Sequence, residues 1–327
     1  MAGGQERILR RRIKSVESTK KITRAMELIA ATRVLKAQER AAAARPYSEE
    51  ITHVVGDLVQ AGAGKDHPLL RENAEANTRA IVCVTSDRGL SGAYNSTMTR
   101  MAERAIKEIE AAGERYSLVV VGKKALTYFR FRGYRIDASI LSVTDRPTYE
   151  HAREIADAII PRFEAGELLS AEIFYWQFLS AGSQKPVRRR ILPVEVGEAV
   201  AAAEEGPSAD LEYEPSPTGI LDELLPRYVV SRIFSATLDA SASEYAAKQR
   251  AMKAATDNAE ELKKTLSRVM NRARQDAITT EIMEIVGGAE ALSSDERNED
   301  DLIPDSLTHH DLFRDNLDYR DHAHSRH

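Results

Sequence analysis

Both ends of the chain carry hydrophobic and polar residues in a pattern that is typical of long helices. Residues 5–45 contain neither glycine nor proline. Pro46 is expected to end or kink this helix, because proline has no backbone N–H to donate, although helical spacing of apolar residues resumes over residues 51–58. Residues 227–286 also lack glycine and proline. The pattern therefore predicts two long helices, the second of which stops at the pair Gly287–Gly288.

The second helix has an apolar stripe that predicts a coiled coil. Its apolar and small residues recur three and four positions apart, as in a heptad repeat. A stripe this narrow does not stabilise so long a helix alone, and the N-terminal helix is the other element of comparable length. We therefore expect the two ends of the chain to pair as an antiparallel coiled coil. The residues expected at the seam are Met252, Ala255, Ala259, Leu262, Leu266, Val269 and Ala273, facing Ile13, Val16, Thr23, Ala30 and Val34.

The middle of the chain alternates short apolar runs with helical patterns. Such alternation predicts a mostly parallel, Rossmann-like sheet with helices on both faces. The pair Lys185–Pro186 between the last two strands suggests a hairpin, so the final strand is expected to be an antiparallel edge. The predicted strands cover residues 80–84, 118–121, 136–143, 171–179 and 187–194, and the predicted helices cover residues 97–111, 124–132 and 148–163.

These patterns divide the chain into four parts and predict an α/β fold with a long antiparallel coiled coil. Residues 1–62 form the N-terminal coiled-coil helix, and residues 79–196 form the Rossmann-like domain. Residues 220–292 form the C-terminal coiled-coil helix. Residues 293–327 are acidic and rich in histidine, and we expect them to be a disordered tail. A stretch rich in alanine, glutamate, proline and serine, residues 199–218, is expected to be a loop.

The composition narrows the setting of the protein. Cys83 is the one cysteine of the 327 residues, so no disulfide can form within the chain and a reducing compartment is expected. No signal-peptide pattern is visible, and no apolar run approaches the roughly 18 residues of a membrane span, so contact with a membrane is expected only through partners. The net charge is −5, yet residues 7–45 hold twelve basic and three acidic side chains. Such a basic helix fits nucleic acid and an acidic protein surface equally well.

Catalytic, cofactor and metal sites have little support in the sequence. The segment 85–95 follows the first predicted strand and precedes a helix, which is where an α/β domain holds a ligand. It contains neither G-x-G-x-x-G nor a P-loop, so a tight structural turn is favoured over a small-molecule site. The histidines lack the spacing of metal ligands, and Cys83 lies within an apolar strand. We therefore expect no catalytic residue, no cofactor and no metal.

Four segments resemble the gamma subunit family of bacterial F-type ATP synthases. They occur in the order expected for that family and together span nearly residues 5 to 292. The segments are Lys20-Lys21-Ile22-Thr23-Arg24-Ala25-Met26, Ser86-Asp87-Arg88-Gly89-Leu90-Ser91-Gly92, Met252-Lys253-Ala254-Ala255-Thr256-Asp257-Asn258-Ala259 and Ile278-Thr279-Thr280-Glu281 with its flanks from Asn271 to Ala291. Ser91 stands where the family usually has cysteine, and residues 293–327 extend beyond the family's usual end.

The resemblance implies a non-catalytic rotor shaft that couples hydrogen-ion transport to ATP synthesis. It implies that the coiled coil lies within a ring of three alpha and three beta subunits, and that the α/β domain rests on the epsilon subunit and the ring of c subunits. It also implies a peripheral position on the cytoplasmic face of the bacterial cell membrane. Five residues match positions that contact beta or affect coupling in that family: Met26, Arg274, Gln275, Thr279 and Glu281.

Two other functions remain open from the residues alone. The first is a nucleotide-binding α/β enzyme with coiled-coil arms for dimerisation, which predicts saturable binding of a nucleotide. The second is a coiled-coil protein that binds nucleic acid, with an affinity that falls steeply with salt.

Overall fold

The computed structural model describes residues 2–64, 67–195, 197 and 216–300. Contacts divide the chain into two units, one of residues 14–263 and one of residues 1–13 with 264–327. No helix of the described residues is both long and apolar enough to cross a membrane. The helices are α1 (Ala2–Gln60), α2 (Tyr94–Ala111), α3 (Lys123–Phe131), α4 (Tyr149–Asp157), α5 (Ile160–Glu164) and α6 (Pro217–Asp300), and the strands are β1 (Thr78–Val84), β2 (Arg115–Val121), β3 (Ala138–Ile140), β4 (Ser170–Phe178) and β5 (Gln184–Leu192).

The five strands form one mixed sheet in the order β3-β2-β1-β4-β5. Strands β1 to β4 pair in parallel, whereas β5 pairs with β4 in the antiparallel sense. The predicted mostly parallel sheet and its antiparallel edge hairpin are therefore confirmed.

Alternate side chains of the central strands β1, β2 and β4 serve two separate cores. Ile81 and Cys83 of β1 point to one face, where they pack with residues of α2 and α3 such as Ile106 and Phe129. Val82 and Val84 point to the opposite face, where residues of α1, α4, α5 and α6 pack. Because strand side chains alternate with a period of two, one apolar run supplies both cores.

The break between α4 and α5 corrects the single helix predicted over residues 148–163. Helix α4 ends at Asp157 and α5 starts at Ile160, with Pro161 in its first turn. Pro161 has no backbone N–H to donate to the Asp157 carbonyl, whereas proline is tolerated in the first turn of a helix, so the chain restarts rather than continues.

Helix α1 runs through Pro46 to Gln60, so of the predicted end or kink at this proline the end is wrong, and the kink stays a prediction. Pro46 and Ala42, whose carbonyl loses its partner, are both exposed, which leaves that carbonyl open to solvation. Val55 and Leu58, which follow the proline in this helix, are completely buried. Their packing offsets the roughly 3 kcal/mol that a helical proline costs.

Helix α6 also extends further than the sequence predicts at both ends. It starts at Pro217, with Pro226 inside it, and it passes Gly287 and Gly288 to reach Asp300. A glycine costs a helix only about 1 kcal/mol relative to alanine, so the predicted stop at the glycine pair is wrong. Residues 293–300 of the expected tail are thus helical, and the rest of that tail, like most of the expected loop 199–218, lies outside the described residues.

Candidate partner-binding site

Helices α1 and α6 contact each other within the unit of residues 14–263. Glu17 pairs with Lys263 at 2.6 Å, and the Thr23 and Thr256 hydroxyls lie 2.8 Å apart. Lys20 is hydrogen bonded to Glu260. As the residue number on α1 rises, that of its contact on α6 falls, so the helices run in opposite directions here.

The predicted seam is only partly buried. Ala30, Val34, Met252 and Ala259 are buried. Leu262 is instead 49% exposed, which places it outside a closed seam. This part of the helix pair therefore has apolar surface that the other helix does not cover.

Four of the five predicted site residues lie on α6 in the other unit, and all four are exposed. Gln275 and Thr279 are one helical turn apart, and the Thr279 hydroxyl donates to the Gln275 carbonyl at 3.0 Å. Arg274 and Glu281 are seven residues apart, so they share a second line on the helix surface. The Gln275 amide, the Arg274 guanidinium and the Glu281 carboxylate are thus presented along one stretch of helix.

Large apolar side chains are exposed on the same stretch of α6. Met283 is 68% exposed and Ile285 is 67% exposed, and Ile278 and Ile282 are exposed as well. Several exposed apolar residues next to charged ones are typical of a surface that another protein covers.

An open groove of about 820 Å³ lies within this second unit. Its walls include Gln5 and Glu6 of α1 and Arg274, Ala277 and Glu281 of α6. The groove brings basic, acidic and apolar groups together, which suits recognition of a protein surface rather than the chemistry of a small substrate.

Met26, the fifth predicted residue, belongs to the unit of residues 14–263 and is half-buried. It lines a cavity of about 320 Å³ together with Ile29 and Leu90. Arg33, Arg88 and Lys248 are also on the wall of this cavity, and Asp145 is its one acidic lining residue. An apolar side chain with a neighbouring carboxylate is the type of group that these walls can hold.

A polar network that the sequence did not reveal lies beside Met26. Arg33 of α1 donates to the Tyr245 hydroxyl of α6 at 2.7 Å, and that hydroxyl donates to Asp145 Oδ1 at 2.9 Å. Arg88 Nη2 is 3.5 Å from Asp145 Oδ2. Burial, together with the bond to Asp145, raises the pKa of Tyr245 to about 12, so the hydroxyl keeps its proton. Asp145 stands in a loop without any motif, and no sequence signal points to it.

The turn over residues 85–95 uses its polar groups inside the chain. Asn95 Oδ1 accepts from the Ser86 backbone N–H at 2.9 Å. Asp87 Oδ1 accepts from the Lys123 backbone N–H at 3.0 Å, at the start of α3. These bonds support a structural turn that orients Arg88 rather than a ligand-binding loop.

The family model for ATP synthase matches residues 5–292. The chain is 50% identical over 295 residues to the ATP synthase gamma chain of Frankia casuarinae, and this match covers 89% of this chain and 99% of that protein. It is 46% identical over 301 residues to the ATP synthase gamma chain of Mycolicibacterium smegmatis, covering 88% of this chain and 97% of that one.

Two solved structures share the fold at low sequence identity. A chain of the Euglena gracilis mitochondrial ATP synthase (OSCP, F1 and c-ring) matches with a TM-score of 0.61 at 17% identity, over 94% of this chain and 99% of that chain. A chain of the Tetrahymena thermophila mitochondrial ATP synthase central stalk and c-ring matches with a TM-score of 0.53 at 23% identity, over 72% of this chain and 99% of that chain.

Proposed function

Because the chain belongs to the ATP synthase gamma chain family, we propose that it is the central rotor shaft of an F-type ATP synthase. In this role the chain is not an enzyme itself. It couples hydrogen-ion transport to ATP synthesis on other subunits. The observation that carries the proposal is the exposed apolar and charged surface of α6 over residues 264–292. A long helix with such a surface needs surrounding protein, which the shaft of a ring-shaped motor has.

The paired helices are proposed to form the antiparallel coiled coil of this shaft. The division proposed is an N-terminal helix within residues 1–62, a Rossmann-like domain at 79–196 and a C-terminal helix from 220 to at least 292. The opposite directions of α1 and α6 in their contacts support the pairing, as does the burial of Ala30, Val34 and Met252.

The coiled coil is proposed to lie within a ring of three alpha and three beta subunits. The α/β domain is proposed to contact the epsilon subunit and the c-ring. The chain would then reach the membrane only through its partners, as a peripheral protein on the cytoplasmic face of a bacterial cell membrane. The fold shared with a chain of the solved Tetrahymena thermophila ATP synthase central stalk and c-ring supports this arrangement.

Such a complex couples rotation to ATP synthesis because the shaft binds the different conformations of a beta subunit with different affinity. One side of the shaft stabilises a given conformation of whichever beta subunit it touches, and rotation moves that side from one beta subunit to the next. The surface of α6 suits this task because charged, amide and apolar side chains occupy different lines along the helix.

We assign the beta-contacting role to five residues, of which four lie on this surface of α6 and the fifth, Met26, lies on α1. Arg274 offers a planar set of donors for a carboxylate-rich loop, and Gln275 adds an amide beside it. Thr279 and Glu281 continue the same stretch of helix. Met26, with its basic cavity, would receive an acidic segment that carries apolar side chains.

The double variant Arg274→Ala, Gln275→Ala tests the site within the complete complex with alpha and beta subunits. The ATPase rate is expected to fall about tenfold, which corresponds to the loss of one charge-assisted hydrogen bond. The unfolding midpoint of the isolated chain should stay unchanged because both side chains are exposed.

The matched control is Arg104→Ala, which removes another exposed arginine, from α2. It should leave the ATPase rate at the wild-type value. An unchanged rate for the double variant, or an equal loss for both, would remove these residues from the site.

A further inference from the structure

Asp145 contacts both long helices and the turn after β1 at a single point. Its carboxylate accepts from Tyr245 of α6 at 2.9 Å and lies 3.7 Å from Arg33 of α1. Its second oxygen lies 3.5 Å from Arg88 in the turn. This one carboxylate therefore joins the α/β domain to both helices.

The Tyr245 side chain is itself held between cations. The Arg33 guanidinium carbon is 5.3 Å and the Lys248 ammonium is 5.2 Å from the centre of the Tyr245 ring. Lys248 is in turn paired at 2.8 Å with Glu244, whose side chain is only 1% exposed. The ring is thus fixed by cation–π contacts as well as by its hydroxyl.

The loop that carries Asp145 is anchored on both sides. Val143 and Thr144, directly before it, are buried. Thr148 is the N-cap of α4 and forms a capping box in which His151 is the reciprocal partner. The position of the Asp145 carboxylate is therefore set by the α/β domain and not by a free loop.

The arrangement has a mechanical consequence. Apolar contacts are not directional, so packed surfaces resist sliding less specifically than hydrogen bonds do. Charge-assisted hydrogen bonds are short and depend on angle, and they are stronger where water is largely excluded. The Asp145 side chain is 33% exposed, so it is partly shielded from water.

We infer that Asp145 is a positioning residue that carries torque between the α/β domain and the two long helices. This inference rests on the proposed function, since torque crosses this junction only if the chain is a rotor. The carboxylate would act through its contacts with Tyr245 of α6 and Arg33 of α1, so that the force is divided between the two helices.

The test measures the stiffness of this junction in the assembled complex. The ring of alpha and beta subunits is fixed to a surface through beta, and a bead is attached at Ala112→Cys on the exposed end of the α/β domain, with no nucleotide present. In Asp145→Asn the mean-square angular fluctuation of the bead should rise, by at most about twofold, because a neutral hydrogen bond has roughly half the strength of a charged one and the apolar packing of the helices on the sheet stays in place. Tyr245→Phe should give a similar rise, and Asp145→Glu, which keeps the charge, should fluctuate less than Asp145→Asn.

Asp137→Asn is the matched control. The Asp137 side chain is 21% exposed, accepts from Ser117 at 2.6 Å and pairs with Arg135 and Arg162, all inside the α/β domain. This variant should leave the fluctuation at the wild-type value. If it loosens the bead as much as Asp145→Asn does, general softening of the domain explains the effect and the inference is overturned.

Two further results would decide against the inference. Wild-type fluctuation in both Asp145→Asn and Tyr245→Phe would show that the network carries no torque, while the rotor function would stand. Failure of the wild-type chain to assemble with alpha and beta subunits would instead overturn the proposed function itself, and the inference with it.

Discussion

The two halves of α6 have opposite surroundings although they belong to one helix. Between residues 221 and 248 it buries Leu221, Leu225 and Ile233 completely in the core of the α/β domain. Between residues 264 and 292 many of its large apolar residues are exposed, and Ile282 and Val286 are more than half exposed. The first half is stabilised from within the chain, and the second half leaves its apolar surface for another protein.

Charged groups follow the same division. In the first half, Glu244 and Lys248 form a buried pair, and burial raises the pKa of Glu244. In the second half, Arg274 and Glu281 are exposed. Buried charges must find partners in their own chain, whereas exposed ones remain open to a partner protein. Substitutions in the two halves should therefore report on different properties.

The largest effect is expected in the buried half. Ile233→Ala should lower the free energy of unfolding by about 3 kcal/mol, because it removes a fully buried side chain and leaves a cavity. Urea unfolding of the complete chain measures this loss. A loss below about 1 kcal/mol would mean that this half of α6 is not part of the core.

A comparable internal contact holds α2 to α3. Glu103 accepts hydrogen bonds from Tyr128, Arg132 and Tyr134, and these bonds lower its pKa to about 2. Glu103→Gln should cost about 2 kcal/mol, since the hydrogen bonds to a charged acceptor are weakened.

The pH dependence of this contact follows from the direction of the shift. The stabilisation by Glu103 is complete above the ordinary pKa near 4.5 and is lost as the pH falls toward 2. The difference in unfolding free energy between wild type and Glu103→Gln should therefore shrink below pH 4. A difference that stays constant with pH would contradict the role of the charge.

Asp239, also in the buried half, should act in the opposite direction. Burial raises its pKa to about 6, despite the nearby Arg189 and Arg45 and a backbone hydrogen bond from Phe178. The unfolded chain releases this proton at lower pH than the folded chain does, so stability falls between about pH 4 and pH 6 and stays lower above that range.

Asp239→Asn should remove this loss. We expect a gain of about 1–2 kcal/mol at pH 7.5 and almost none near pH 4, measured by urea unfolding at both values. An equal effect at the two pH values would show that the substitution changes packing rather than charge.

The smallest effect on stability is expected in the exposed half. Ile282→Ala should change the unfolding free energy of the isolated chain by less than about 0.5 kcal/mol, because Ile282 is 55% exposed. The same variant should bind the ring of alpha and beta subunits more weakly in a titration of assembly. Wild-type assembly would indicate that this surface faces solvent in the complex.

The sequence predicted those features of the fold that depend on local patterns. Apolar runs located the strands, and Lys185–Pro186 indicated the edge hairpin that β4 and β5 form. The helix ends predicted at Pro46 and at the pair Gly287–Gly288 were wrong. These predictions considered only the local cost of proline and glycine in a helix, a few kcal/mol, and left out the stabilisation from the rest of the helix. For α1, the missing information was the burial of Val55 and Leu58 against a sheet that is distant in sequence.

The candidate site was only partly accessible from the sequence. Met26 and Arg274 lie in motifs that could be read directly, and both are at surfaces that can receive a partner. Asp145 could not be found in this way, because its importance comes from the meeting of Arg33, Arg88 and Tyr245, which are far apart in the chain. Contacts of this kind appear only once the elements are packed.

Direct observation of rotation tests the central claim. In a complex of this chain with three alpha and three beta subunits, held to a surface through beta, a bead on the α/β domain should turn in one direction when ATP is added. Rotation that stops when ATP is removed is the result that the shaft function predicts. A complex that hydrolyses ATP while the bead shows only thermal motion would contradict it.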